Sequence, residues 1–271
     1  MQMFLCRRFL HFVLFPLQLS ILKLVRDVKS YQVETSFLTS EACRCLVDDT
    51  GMKINKVLAS DLRPVISDNP KDLLNSRFSI FLEYFQKSDG WEQSWLLDKD
   101  EARASLATLA KMHGYFWQGS KFWKDREKDG KDLELCVWPN GGYIQPKLQG
   151  YDQLKKVASG WEARYPTFKD DLGKISELNE VDIESLGRRL EEVAPSLGME
   201  SHPFSNNSKE EHDYMKYRTL IHGDPKHANF FFRRRQVDND NESKFEVGVI
   251  DFQWCGFGLA ATGKDTNMFD E

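Results

Sequence analysis

The chain has 271 residues, of which 41% are hydrophobic and 13% aromatic, which is enough to bury the core of one large domain or two lobes. Its formal net charge of −5 provides no excess of Lys and Arg for neutralising phosphates, so neither a nucleic-acid nor a membrane partner is expected. The five cysteines are scattered and odd in number, which indicates neither a disulfide framework nor a zinc site and predicts a reducing, cytoplasmic setting.

The first 25 residues contain an apolar run, residues 9–22, that follows two arginines. A run of this kind is typical of a signal peptide or a short membrane anchor. Here a proline and several polar residues interrupt it, and no small-residue cleavage site follows. We therefore predict buried strands at the edge of a folded lobe, with a targeting or anchoring segment over residues 1–25 as the alternative.

Residues 1–85 are predicted to form a small mixed lobe. Residues 20–25 alternate in polarity and predict a strand. From Tyr31 the apolar residues recur at helical spacing, up to a glycine cap at Gly51. Further strands are predicted over residues 53–58 and 77–85.

Two helices are predicted in the remainder of the chain. Asp98 and Glu101 form the sequence pattern of a capping box, and apolar residues follow at helical spacing as far as Phe116. A second helix, across residues 186–193, is predicted to end at Pro195. Residues 196–213 are polar and rich in helix-breaking residues, which predicts a surface loop.

A polar cluster within residues 220–232, which read LIHGDPKHANFFF, directly precedes an apolar strand pattern. The strands predicted over residues 230–233 and 245–250 flank a polar stretch, so they are expected to pair as a hairpin. That hairpin would bring Asp251, at its end, back beside Asp224 and Asn229 at its start.

These side chains match the needs of phosphoryl transfer from ATP. Asp224 can accept or orient the proton of an attacking hydroxyl group. The oxygens of Asn229 and Asp251 can hold magnesium against the nucleotide phosphates. Lys226, which follows Asp224 closely, can neutralise charge on the transferring phosphoryl group.

Other polar and aromatic side chains receive a structural interpretation. His222 is expected to hydrogen-bond the backbone around the polar loop, and His227 is interpreted as an ordinary loop residue. The tryptophans are interpreted as core residues, with a pocket for an apolar alcohol as the alternative; they are Trp91, Trp95, Trp117 and Trp123.

The segment HGD with Asn229, followed by IDFQ at residues 250–253, resembles the catalytic and metal-binding motifs of the aminoglycoside phosphotransferase and choline-kinase-like superfamily. The second motif is closest to the ecdysteroid-kinase-like (CHK kinase-like) branch. The resemblance implies an α+β, protein-kinase-like fold with two lobes. Residues 1–85 would form a partial N-lobe that ends in the hinge strand. Residues 86–271 would form a helical C-lobe with the catalytic loop at 220–232 and the metal-binding hairpin end at 249–253.

The same resemblance implies nucleotide-binding residues. Glu83 lies where the backbone of the family's hinge meets adenine. Lys23 takes the position of the lysine that contacts the phosphates, with Lys29 as a competing choice. Glu34 takes the position of the helix residue that pairs with that lysine.

Two departures from the family pattern bear on activity. No glycine precedes Lys23, although kinases of this shape cover the nucleotide phosphates with a glycine-containing hairpin. Gly263 lies near the position of a further family aspartate, and the family's later helices do not follow it. An incomplete N-lobe and a truncated C-lobe are therefore expected.

Two functional hypotheses follow. The first is an ATP- and magnesium-dependent kinase that acts on a hydroxyl group of a small molecule, an alcohol or an amino alcohol. The alternative is a catalytically inactive kinase-fold protein or truncated isoform that acts by binding. The loop residues Asp224, Asn229 and Asp251 favour the first hypothesis, and the absent glycine-rich segment favours the second.

Overall fold

The computed structural model describes residues 21–67, 69–142, 156–174, 181–197, 217–235 and 245–260. Over these ranges the chain is a mixed α+β protein with helices and three small sheets, which confirms the predicted class. The chain divides into two compact units, Met1–Gly142 with Asp213–Glu271, and Tyr143–His212. The lobe boundary at residue 85 stays a prediction.

The first described element is a helix, α1 (Ile21–Leu38), so the strand predicted over residues 20–25 is wrong. A window of six residues satisfies both the strand period and the helix period, and only the longer repeat decides between them. In α1 that repeat continues to Val33 and Phe37, whose side chains are fully buried. Burial of this continuous face therefore favours the helix over the strand.

The helix predicted from Tyr31 to Gly51 is two helices. The second, α2 (Glu41–Thr50), begins after Ser40, whose Oγ accepts a hydrogen bond from Cys43 N at 3.1 Å. A serine that caps the first turn favours a new helix start over continuation of the old one. The predicted cap at Gly51 is confirmed, because this residue has the left-handed φ of 69°.

Three short strands and a one-turn helix follow α2. They are β1 (Lys53–Ile54), β2 (Val57–Arg63), α3 (Pro70–Leu73) and β3 (Arg77–Leu82). Strands β2 and β3 pair antiparallel, with Val57 opposite Leu82. Strand β3 ends at Leu82, earlier than the predicted range of 77–85, and one further bond to the neighbouring segment follows it, from Glu83 N to Lys56 O at 2.8 Å.

Helix α4 (Lys99–Tyr115) begins with the predicted capping box. Asp98 Oδ1 accepts from Glu101 N at 2.8 Å, and Glu101 Oε2 accepts from Asp98 N at 3.0 Å. Two reciprocal bonds satisfy amide donors that have no partner within the first turn. Two further helices follow, α5 (Lys121–Asp125) and α6 (Glu127–Cys136).

The second compact unit contains a pair of helices, α7 (Val157–Leu172) and α8 (Leu186–Leu197). Trp161 Nε1 donates to Ile183 O at 2.8 Å, and a Cβ on Gly187 would lie 2.4 Å from the Trp161 side chain. Helix α8 is the helix predicted across residues 186–193, but its predicted end at Pro195 is wrong because α8 continues to Leu197. A proline in the last turn removes only one terminal hydrogen bond.

The predicted hairpin is confirmed. Strands β5 (Phe230–Arg234) and β6 (Phe245–Val249) pair antiparallel, and Phe230 lies opposite Val249. The short strand β1 pairs parallel to the other edge of β6. A separate antiparallel pair is formed by β4 (Arg218–Ile221) and β7 (Gly256–Leu259). These two pairs enclose the polar cluster, since β4 precedes it and β5 follows it.

No helix among the described residues combines the length and the apolar character that crossing a bilayer requires. The apolar run at residues 9–22 lies largely outside the described residues, as do residues 198–216 of the predicted surface loop.

Candidate functional site

The loop between β4 and β5 is buried at both ends. Ile221, the last residue of β4, and Phe230, the first of β5, are both 0% exposed. Because Phe230 pairs with Val249, the residues just outside the hairpin also meet, and Ile250 N donates to Asn229 O at 3.0 Å. The register of the hairpin thus brings Asp251 to the loop that carries Asp224.

His222 connects the two parts of this site. Its Nε2 lies 2.9 Å from Ile250 O, and its Nδ1 accepts from Asp224 N at 3.3 Å. A carbonyl can only accept and an amide can only donate, so the ring is neutral and carries its proton on Nε2. Complete burial lowers the pKa of His222. Both ring nitrogens of His222 are therefore engaged in holding the loop.

Asp224 is buried, and two neighbouring side chains contact one of its carboxylate oxygens, Oδ2. Lys226 Nζ lies 2.5 Å from Oδ2, and Asn229 Nδ2 lies 3.5 Å from the same oxygen. Asn229 Nδ2 also donates to Asp224 O at 2.7 Å. The side-chain amide nitrogen of Asn229 is hydrogen-bonded to Asp224. The side-chain carbonyl oxygen of Asn229 is therefore the atom that can bind a cation.

Asp251 is the only non-glycine with a positive φ, 65°, in the part of the chain that the structure describes. Left-handed backbone costs a non-glycine residue roughly 1–2 kcal/mol, although Asp and Asn tolerate it better than most. The buried Oδ1 of Asp251 receives no hydrogen bond from any described group. A carboxylate on strained backbone with a buried, unsatisfied oxygen fits an oxygen-seeking cation such as magnesium.

The raised pKa of Asp251 also favours a cation at this position. Burial raises the pKa of this carboxyl most, and the charge of Asp224 raises it further, while the positive charge of Lys226 lowers it. The charged form is thus disfavoured, and a bound cation would compensate for the lost hydration.

Helix α1 contacts the same loop through Glu34 and Ser30. Glu34 Oε1 accepts from Phe252 N at 3.2 Å, and Ser30 Oγ donates to Gln253 Oε1 at 3.4 Å. Burial raises the pKa of Glu34 to about 7, and the nearby charge of Asp251 contributes to the increase. Glu34 therefore supports the backbone that follows Asp251.

This position of Glu34 predicts a pH-dependent stability. Between its ordinary pKa of 4.5 and about 7, the folded chain binds more protons at Glu34 than the unfolded chain, so stability falls as pH rises through this window. Glu34→Gln keeps the acceptor for Phe252 N and removes the charge. We expect the variant to be more stable than the wild type by about 1–3 kcal/mol at pH 8, with no such gain at pH 4.

Urea unfolding at both pH values, without divalent cations, measures this difference. Glu162→Gln is the matched control, because Glu162 is an exposed glutamate on α7. If the pH dependence of the free energy of unfolding is the same in Glu34→Gln as in the wild type, the charge of Glu34 does not destabilise the folded protein.

The predicted ion pair between Lys23 and Glu34 is wrong. Both residues belong to α1, and about three helical turns, roughly 16 Å between Cα atoms, separate them. The prediction placed Lys23 on a strand facing a helix, whereas the two residues share one helix. The placement of the Lys23 side chain lies outside what the structure describes.

Glu83 occupies the segment after β3, but its backbone already has partners. Glu83 O accepts from Asn55 Nδ2 at 2.5 Å, and Glu83 N donates to Lys56 O at 2.8 Å. An adenine edge at this position would have to share or displace these bonds.

Aromatic rings surround the same segment. Phe85 lies 5.3 Å from Phe231 and 4.6 Å from Trp91 between ring centroids, and Tyr84 meets Phe231 edge-on at 6.0 Å. Strand alternation in the sequence could have identified Phe231 as a member of this aromatic cluster, since its side chain faces the opposite side of β5 from those of Phe230 and Phe232.

The interpretation of the tryptophans as core residues holds for only part of the set. Trp91 is 7% exposed, with the Arg233 guanidinium 4.6 Å from its ring centroid. Trp95 is 89% exposed, so the core interpretation is wrong for this residue.

Residues 138–142 brace the loop after Asp251, and sequence reasoning missed them. Trp138 Nε1 donates to Gln253 O at 2.8 Å, and Gly142 N donates to Trp254 O at 3.0 Å. The rings of Trp138 and Trp254 stack at 5.8 Å. The adjacent glycines at 141 and 142 were the available signal, because they permit the close backbone approach seen here.

Asp224, Lys226, Asn229, Asp251 and Glu34 thus meet in one site, whereas Glu83 lies on the separate aromatic segment. No protein-family model, curated protein or solved structure matches this chain.

Proposed function

We propose that the chain is an ATP- and magnesium-dependent phosphotransferase that acts on a hydroxyl group of a small molecule. The observation that carries this proposal is the buried, unsatisfied Oδ1 of Asp251 among the described residues, on a strained residue beside Asp224 and Asn229. Magnesium prefers oxygen ligands from few carboxylates and shares its remaining positions with phosphates, and Asn229 and Asp251 offer such a partial set.

In this proposal each loop residue has a separate role. Asn229 and Asp251 would hold the cation, which would supply charge neutralisation for the nucleotide phosphates. Asp224 orients the acceptor hydroxyl and accepts its proton, as the hydroxyl oxygen forms a bond to the γ-phosphorus and the bond to the departing ADP oxygen breaks. The proton then leaves Asp224 for water.

Lys226 connects proton acceptance with phosphate binding. Its Nζ lies 2.5 Å from Asp224 Oδ2. A phosphoryl oxygen is a competing acceptor for this ammonium group, and moving to it would leave Asp224 Oδ2 available for the acceptor hydroxyl. His222 keeps both loops in register during this exchange through its bonds to Ile250 and Asp224.

The order of elements also supports the two-lobe, protein-kinase-like fold that the family resemblance implies. Helix α1 and the β2–β3 hairpin precede a connecting segment, and helix α4 follows it. The polar loop then lies between the β4–β7 pair and the β5–β6 hairpin. A cytoplasmic location belongs to the same proposal, since ATP and magnesium are available there.

A second candidate is a kinase-fold protein that binds nucleotide or a partner without turnover. The bond from Asn55 Nδ2 to Glu83 O favours it, because this bond occupies the backbone group that would meet adenine. The excluded pairing of Lys23 with Glu34 favours it as well.

Asp224→Asn tests the catalytic proposal. Asparagine cannot accept the hydroxyl proton, so phosphate transfer should fall by at least about 100-fold while magnesium-dependent ATP binding stays within about threefold. Calorimetry with ATP, with and without magnesium, measures binding, and ADP release with a panel of alcohols and amino alcohols measures turnover. Asp48→Asn, an exposed aspartate on α2, is the control.

ATP binding and ADP release measured on the wild-type protein distinguish the two candidate functions. Binding of ATP with magnesium and release of ADP that Asp224→Asn abolishes supports the kinase. Binding without turnover on any acceptor selects the second candidate. A folded wild type that binds no ATP in the presence of magnesium contradicts the kinase proposal.

A further inference from the structure

We propose that a cleft at the end of helix α4 binds a zwitterionic small molecule, a free amino acid with an apolar side chain. The cleft has a volume of about 680 Å³, which lies within the range of small-molecule sites. Its floor is the last turn of α4, and its walls are α5 with Arg126 and the end of α2. No residue of the loop at 220–232 lines it, so the inference goes beyond the proposed function and does not depend on phosphate transfer.

Gly114 keeps the floor of this cleft open. It lies in the last turn of α4, and a Cβ added there would have no atom beyond its own helix within 4 Å. A glycine in a helix costs roughly 0.5–1 kcal/mol of stability relative to alanine. Packing against the described residues does not require this glycine. The open space above it therefore indicates a surface left free for a ligand.

Hydrogen bonds on both sides of Gly114 hold the floor of the cleft in place. Thr219 Oγ1 donates to His113 O at 2.6 Å, and Ser120 Oγ donates to Tyr115 O at 2.7 Å. Strand β4 and the residue before α5 thus fix the backbone on which a ligand would rest. A floor that is already ordered lowers the entropic cost of binding.

Two acidic and two basic side chains line the cleft without forming close pairs. Lys121 Nζ lies 3.9 Å from Asp125 Oδ2, and Arg126 Nη2 lies 3.7 Å from Asp49 Oδ2. Charge-assisted hydrogen bonds are shorter, at roughly 2.7–2.9 Å between heavy atoms. Both pairs therefore keep charged atoms that a ligand can contact directly.

This pattern of charges favours a ligand that carries both signs. A ligand with only a carboxylate would lie beside Asp49 and Asp125, and a ligand with only an ammonium group would lie beside Lys121 and Arg126. In a zwitterion, the carboxylate can contact the cations while the ammonium group contacts the acids. A free α-amino acid is the simplest molecule with both groups.

An aromatic surface beside these charges favours an apolar side chain on the ligand. Tyr115 Oη donates to Asp49 Oδ2 at 2.7 Å, which fixes the tyrosine ring against α2. The same ring lies 5.4 Å from the Phe122 ring and 4.9 Å from the Phe116 ring between centroids. A ring held in this way offers carbon surface that an apolar side chain can cover.

Three related compounds test the charge requirement when each is titrated into the wild-type protein without ATP or magnesium and followed by NMR. L-Phenylalanine carries both charges, 2-phenylethylamine only the ammonium group and 3-phenylpropionate only the carboxylate. We expect L-phenylalanine to bind at least about tenfold more tightly than either analogue, because each analogue loses one favourable contact and keeps its like-charged neighbours. L-Serine, which lacks the apolar side chain, should bind at least about threefold more weakly than L-phenylalanine.

Gly114→Leu tests the location of the site. The added side chain would extend into the cleft, so L-phenylalanine binding should weaken at least about tenfold. The variant should remain folded, which urea unfolding checks, because a Cβ at Gly114 meets no neighbouring atom. Gly160→Leu is the matched control, since Gly160 is a helical glycine on α7 whose Cβ would also have no atom within 4 Å. This control should bind L-phenylalanine like the wild type.

Arg126→Gln tests the role of one charge. It should weaken L-phenylalanine binding at least about fivefold and leave 2-phenylethylamine binding no weaker than in the wild type, because only the ligand carboxylate needs this cation. Equal or tighter binding of a single-charge analogue, undiminished L-phenylalanine binding in folded Gly114→Leu, or no L-phenylalanine binding to the folded wild type overturns the inference. None of these results bears on the proposed kinase, which ATP binding and ADP release test separately.

Discussion

Replacement of Asp251 by Asn is expected to abolish magnesium-dependent ATP binding and, at the same time, to stabilise the magnesium-free protein. Asparagine weakens the contact to a hard cation, so we expect ATP affinity in the presence of magnesium to fall at least about 100-fold. The same change removes a buried charge whose Oδ1 has no donor among the described residues. Removing such a charge should raise the free energy of unfolding by about 1–3 kcal/mol.

Asparagine suits this test because it keeps the shape of the side chain and tolerates the positive φ of 65° at this position. A smaller residue would create a cavity and confuse the two effects. The opposite signs of the two changes separate a functional carboxylate from a structural one. If Asp251 had only a structural role, its replacement would lower the stability of the protein. Any loss of ATP binding would then result from that lost stability.

Calorimetric titration with ATP, with and without magnesium, and urea unfolding without magnesium measure the two quantities. Asp48→Asn changes the net charge equally at an exposed position and should alter neither. Retained magnesium-dependent binding, or a magnesium-free variant less stable than the wild type, would contradict the assignment of Asp251 as a cation ligand.

Of the predicted substitutions, Gly223→Ala is expected to lower the free energy of unfolding most, by about 3 kcal/mol or more. Gly223 has φ 88°, and a Cβ there would lie 2.1 Å from Trp254 O and 2.8 Å from Gly142 N. Both atoms belong to backbone that is itself hydrogen-bonded, since Gly142 N donates to Trp254 O at 3.0 Å. Neither can move without breaking the brace over the loop after Asp251, so conformational strain and steric overlap add.

Gly51→Ala provides a matched control for the conformational part of this loss. Gly51 has a similar φ of 69°, and a Cβ added there would have no atom within 4 Å. We therefore expect a loss of about 1 kcal/mol from the left-handed backbone alone. Urea unfolding of both variants measures the difference. Equal losses would show that the contact between Gly223 and Trp254 is not tight in the folded protein.

Gly223→Ala should also weaken ATP binding, because the displaced loop carries Asn229, which is a cation ligand in the proposed function. This coupling explains why residues 138–142 matter for the site although they supply no reacting group. They hold the loop after Asp251 through the indole of Trp138 and the amide of Gly142. The site is thus formed where three backbone segments meet.

Local sequence rules were sufficient wherever short-range bonds decide the structure. The capping box at Asp98, the glycine cap at Gly51 and the hairpin that returns Asp251 to the loop depend on neighbours in sequence or on strand alternation. These patterns have one low-energy solution because a few nearby hydrogen bonds satisfy them. The candidate loop was therefore identified from the sequence by itself.

Tertiary structure alone decided the features that depend on distant partners. Residues 21–25 satisfy both the strand and the helix period, and burial of Val33 and Phe37 selected the helix. That choice moved Glu34 from an ion pair with Lys23 to a bond with Phe252 N. Likewise, no local rule distinguishes the buried Trp91 from the exposed Trp95. The physical reason is that burial depends on which surfaces meet after the chain folds, and sequence spacing describes only one of the two surfaces.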